Sequence, residues 1–238
     1  MTTTLDLTRN AFVDTIRFPK ARRARRSGSK ESIPTVDTLT GIELRIQKVL
    51  VKDNKTMKVW PFPGYSDLYV IITTIDDLKN DPFKLTLEGF ADVDDDEVLP
   101  LERTAYYWKE GRETPTPPGQ IHLVLSVIKS NQGIRKLGKT LSTLKDRDDY
   151  KSVVTTIVEA IATGGASTIA SGLLALTGVV GALLGDVDDT PLITQVLSFT
   201  DINGDFSSLG KYVSSRGNRY IDLDMALVVR DARRERRG

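Results

Sequence analysis

Three groups of residues have the types and spacing to do chemistry. Gly133, Gly138, Lys139 and Thr140 fit the pattern G-x-x-x-x-G-K-T. In that pattern backbone N–H groups wrap a nucleotide's phosphates, the lysine reaches the terminal phosphates and the threonine hydroxyl binds magnesium. The flanks oppose this reading. Ile134, Arg135, Lys136 and Leu137 are bulky where a phosphate loop must curl tightly, and Ile134, Leu137, Leu141 and Leu144 run through the motif at helical spacing. The chain also lacks the alternating strand–helix units of a parallel nucleotide-binding sheet.

The second group is acidic. Asp92, Asp94 and Asp96, and again Asp201, Asn203 and Asp205, place oxygen ligands at alternate positions, as does 186–189. Calcium takes six to eight such oxygens, and loops at one end of a β-sandwich can converge to supply them. None of these runs is an EF-hand: the glycine in 201–205 falls too early and the distal Glu is missing. Solvated turns are the competing expectation. Calcium is therefore the one cofactor worth testing.

The third group gives catalysis little to stand on. The chain has one histidine and no cysteine, which excludes Cys–His nucleophiles, thiol chemistry, disulfides and multi-His metal sites. His122 lies in the run Ile-His-Leu-Val-Leu and reads as a strand residue. Carboxylates are plentiful, yet no pair has a spacing that singles it out for hydrolysis. Tyr106, Tyr107 and Trp108 offer surfaces on which ligands stack, with half of the cluster expected to face the core. The expectation is a protein without catalytic residues.

The elements that would position these residues are mostly strands. Ile42, Leu44 and Ile46 alternate with charged residues, as a strand with one wet face should. The spans 68–75, 83–87, 104–109, 121–128 and 192–199 also read as strands, with Pro61, Pro63, Gly64, Pro82, Pro115, Pro117, Pro118 and Gly119 as punctuation. Ile221, Leu223, Met225, Leu227 and Val229 point one way. Between them lie three helical stripes, the last from Ile169 through Leu173, Leu176 and Val180 to Leu183, after a break at Gly164 and Gly165. The sequence therefore predicts a mainly β protein, α+β overall: an antiparallel β-sandwich with an inserted apolar helical hairpin. The sandwich domain spans 41–230, with the helical insertion at about 133–185.

That insertion is the most informative stretch. Residues 160–185 carry no charge, long enough to cross a bilayer, and Gly181 and Gly185 suit close helix contacts. A helix buried against the sheet has the same composition, and so does a surface that docks partner subunits. Thr163, Ser167, Thr168, Ser171 and Thr177 favour protein contact over lipid.

The termini differ from the domain. Residues 1–40 form an arm in which 5–18 suits a short amphipathic helix and 20–30 is a basic linker with six basic side chains and nothing to bury. The tail 231–238 is also basic. Both fit solubilising tails or arms that pair with an acidic surface. The formal charge of +1 makes the molecule as a whole no trap for nucleic acid, which is not expected as a partner. Residues 1–22 lack the apolar core of a signal peptide, predicting synthesis in the cytoplasm outside the ordinary secretory route. The reading that follows is a non-enzymatic binding or assembly module, a structural subunit that self-associates or joins other protein subunits through its basic arms and apolar hairpin. The alternatives are a membrane-interacting, pore-forming-like protein that inserts the 150–185 hairpin with calcium as trigger, and a nucleotide-binding protein.

Overall fold

The computed structural model describes residues 11–14, 39–61, 64–78, 83–101, 103–113, 115–131, 146–163 and 189–231; within 164–188 it describes 169, 171–173, 175, 176 and 179. The chain forms ten strands and a helix among these residues: β1 (Ala11–Asp14), β2 (Gly41–Val51), β3 (Ser66–Asp76), β4 (Phe83–Val93), β5 (Glu97–Leu99), β6 (Arg103–Lys109), β7 (Gln120–Ser130), α1 (Asp148–Thr163), β8 (Thr190–Thr200), β9 (Gly210–Gly217) and β10 (Ile221–Arg230).

Two sheets result. One has the order β1-β8-β7-β3-β4; the other has β5-β2-β10-β9, with β6 continuing the β5 side of β2. All pairings are antiparallel except β1 on β8. The side-chain pattern decides which sheet is inside. β2 and β10 alternate apolar with charged residues and so bury one face. β3 and β7 are apolar almost without interruption and buried along nearly their whole length, which a strand needs only when both faces are covered.

The two apolar clusters show what does the covering. Leu68, Val70 and Ile72 of β3, Ile121, Leu123 and Leu125 of β7, and Ile42, Leu44, Leu223 and Leu227 of the opposite sheet form the core between the sheets. Tyr69, Ile71 and Ile75 of β3 and Val124 and Ile128 of β7 face the other way, against Tyr150, Ile157, Ala160 and Ile161 of α1 and against Ile169, Leu173 and Leu176. The molecule is thus a sandwich with helical residues over one outer face. Leu173 and Leu176 are buried, so in this part of the insertion the apolar stripe is core. The turn expected at Gly164 and Gly165 lies outside the described residues.

The amino-terminal arm departs from expectation at one point. Residues 11–14 form a strand where 5–18 suggested a helix. Phe12 and Val13 favour extended structure, and the free edge of β8 supplies backbone partners that an isolated short helix lacks.

Candidate functional site

The two acidic loops sit at opposite ends of the sandwich. Val93 pairs with Ser66 where β3 begins, so the turn after β4 lies at that end. Asp201 follows Thr200, which pairs with Gln120 where β7 begins, beside the last residues of β3. An 11-residue strand separates them, about 33 Å. Asp92, Asp94 and Asp96 are therefore not brought together with Asp201, Asn203 and Asp205, and no three His, Asp or Glu side chains among the described residues gather into a metal-holding group. The loops are acidic for a local reason: a carboxylate that accepts a nearby backbone N–H stabilises a tight turn.

That chemistry is visible at the far end. Asp201 accepts from Ile202 N at 2.6 Å, and Asp205 accepts from Thr200 N at 2.8 Å. Asp76 accepts from Leu78 N and from the Tyr106 hydroxyl, 2.9 and 2.8 Å. Asp77 takes Gly119 N on both oxygens at 3.0 and 3.1 Å. Burial pushes the Asp77 carboxyl up, its backbone hydrogen bonds oppose the shift, and the charge of Asp201 adds to it. A Cβ at position 119 would come within 2.9 Å of Asp77 Oδ2, so a side chain there would displace the carboxylate from its backbone bond.

The near end is different in kind. The loop between β2 and β3 holds Met57 at 83% exposure, Val59 at 53% and Trp60 at 93%, and Tyr65 and Val98 are half-exposed at the same end. These are large apolar side chains left in solvent within one short stretch. The base of the loop is fixed. Asn54 is fully buried; its Nδ2 donates to Gly64 O and Val93 O, both at 2.9 Å, and its Oδ1 accepts from Thr56 N at 2.8 Å. Lys129 Nζ donates to Lys55 O and Thr56 Oγ1 at 3.1 and 2.7 Å. Lys58 reaches Asp94 at 2.7 Å and Asp95 at 3.0 Å, which holds the ammonium above its ordinary pKa and the Asp94 carboxyl below its own. Gly64 has φ +79°, and a Cβ there would press on Lys58 Cγ at 2.8 Å. Arg219 and Lys55 lie within 5 Å of the Tyr220 ring centre, completing a mixed-charge rim.

Sequence reasoning missed this tip. Pro61, Pro63 and Gly64 read as turn residues, and the signal was the apolar company they keep in the sequence: Met57, Val59, Trp60, Phe62 and Tyr65 crowd a Pro- and Gly-rich stretch between two strands. The remaining expected sites lie elsewhere. Gly133, Gly138, Lys139 and Thr140 fall outside the described residues, as do the basic run 20–30 and the tail from 232. Asp189 is buried and structural, accepting from the Tyr69 hydroxyl and Asn131 N, both at 2.8 Å.

His122 is a strand residue on the helix-covered face. It is buried, Ser198 Oγ lies 2.9 Å from Nδ1, and Nε2 meets no hydrogen-bond partner. Burial depresses its pKa to about 4, so the ring is neutral at pH 7. At 2% exposure the ring is shielded from solvent. Among the described residues no helix is long and apolar enough to cross a membrane. No protein-family model matches the chain, and no curated protein matches it in sequence.

Proposed function

We propose that this chain is a non-enzymatic binding and assembly module whose principal contact is the Met57–Val59–Trp60 tip, with the basic arm as a second, electrostatic contact. The observation that supports this reading is the pairing of a bare tryptophan with a fixed base. Trp60 is almost wholly exposed, while Asn54 beneath it spends its side-chain hydrogen bonds on holding the loop. A preformed aromatic tip loses little conformational freedom on docking, which is how a few side chains come to dominate a protein interface. Charge favours a copy of the same chain as partner. The turn 92–97 beside the tip carries five carboxylates and the segment 20–30 carries six basic side chains, so the chain is complementary to itself. The same carboxylates would oppose an anionic lipid surface.

The test is the mass of the full chain in solution against concentration, by sedimentation, for wild type and Trp60→Ser. The expected result is wild-type association that weakens at high salt and is lost in the variant, with an unchanged melting temperature. A wild type that stays monomeric at every concentration overturns self-association. Flotation with neutral liposomes that disappears in Trp60→Ser would replace the protein partner by an interfacial membrane contact.

A further inference from the structure

We propose that β1 is an exchangeable strand: in the assembled protein, Ala11–Asp14 of one copy pairs with β8 of its neighbour. The inference rests on the assembly reading above and names the element that links the copies.

Three features carry it. First, β1 is four residues long, pairs with one strand and is the only parallel strand among the described residues. Its pairing covers Thr194 to Leu197 of an 11-residue β8, so a few backbone hydrogen bonds hold it. Second, the next strand in the chain, β2, belongs to the opposite sheet, and residues 15–40 lie between them. Those 26 residues reach up to about 90 Å when extended, far beyond two sheets about 10 Å apart. The connection therefore does not dictate whose β8 receives the strand, and the contacts made are identical either way. Third, the seam is imperfect. Gln195, directly opposite Phe12, is fully buried with both amide atoms unpartnered. Detaching β1 opens that edge to water, which relieves the amide and lowers the barrier to exchange. Exchange of an identical element between copies is a low-cost route to assembly.

The chain has no cysteine, which makes the test clean. Val13 and Val196 are direct neighbours in the parallel register, at a spacing a disulfide spans, whereas Ala11 faces Thr194 two residues away. One tagged chain carries Val13→Cys, a second, differently tagged chain carries Val196→Cys, and the two are co-expressed and oxidised. The expected product is a disulfide-linked dimer bearing both tags, at least tenfold above the yield from Ala11→Cys with Val196→Cys. A Val13→Cys/Val196→Cys double variant should give covalent species larger than one chain. If the double variant closes within single chains and the mixed pair gives no dimer above the Ala11 control, exchange is overturned. Sedimentation of the wild type separates the two failures: association without intermolecular disulfides removes only the strand exchange, and a monomer removes the assembly reading with it.

Discussion

Two apolar regions of this molecule meet opposite fates. The stretch containing Ile169, Leu173 and Leu176 is long, rich in small residues and without charge, and these three side chains are buried against β3 and β7. The tip of Met57, Val59 and Trp60 is three side chains in a loop that also holds Lys55 and Lys58, and it stands in solvent. The length of an apolar run says how much area has to be hidden. Whether it is hidden depends on whether a complementary face is free. The outer surface of the β3–β7 sheet is free and apolar, and helical residues take it. The loop is tied at its base by Asn54, and its apolar side chains stay in solvent.

The contrast can be broken at four points. The largest effect is expected at Leu176→Asp, which places an unpaired carboxylate in the buried cluster. Denaturant unfolding should show a loss of about 4 kcal/mol or failure to fold. A soluble, fully stable variant would mean that this stripe is not core. Next comes pH. His122 has a folded pKa of about 4 against 6.5 for the free side chain, so its contribution is fully present above pH 6.5 and drains as pH falls towards 4, by up to about 3 kcal/mol. Asp77, pushed up by burial, works in the opposite sense and gains as pH falls. His122→Leu isolates the first term: its melting temperature should fall less than that of wild type between pH 7 and pH 4.5. Equal slopes would show that the ring is not buried in solution.

Asn54→Ala comes third. It orphans the carbonyls of Gly64 and Val93 and should cost about 2–3 kcal/mol in thermal unfolding, while weakening association through a loosened tip. Trp60→Ser is the smallest. Its stability should lie within about 0.5 kcal/mol of wild type, because the indole is solvent-exposed. A large loss of stability there would place the indole in a packing role and remove the tip as a contact surface.

Much of the architecture was legible because strand periodicity is a local signal. Ile221, Leu223, Met225, Leu227 and Val229 alternate in sequence and share one core in the fold. The near-continuous apolar runs of β3 and β7 likewise announce two covered faces. The candidate site was less legible, because exposure is not a property of residue type: Trp60 is bare and Trp108, in a comparable aromatic run, is buried. The acidic loops show a related limit of local pattern. Their ligand-like spacing is a sequence property, but convergence requires two loops at the same end, and the register puts a whole strand between them.

The sequence by itself determined the β-rich class, the absence of thiol chemistry and the apolar face of the long core strands such as β2 and β10, since composition and a two-residue period act within a few neighbours. Only the tertiary structure decided which apolar surface found a partner, which carboxylates met and where β1 docked. Those outcomes depend on pairings between residues far apart in the chain, and no local pattern encodes them.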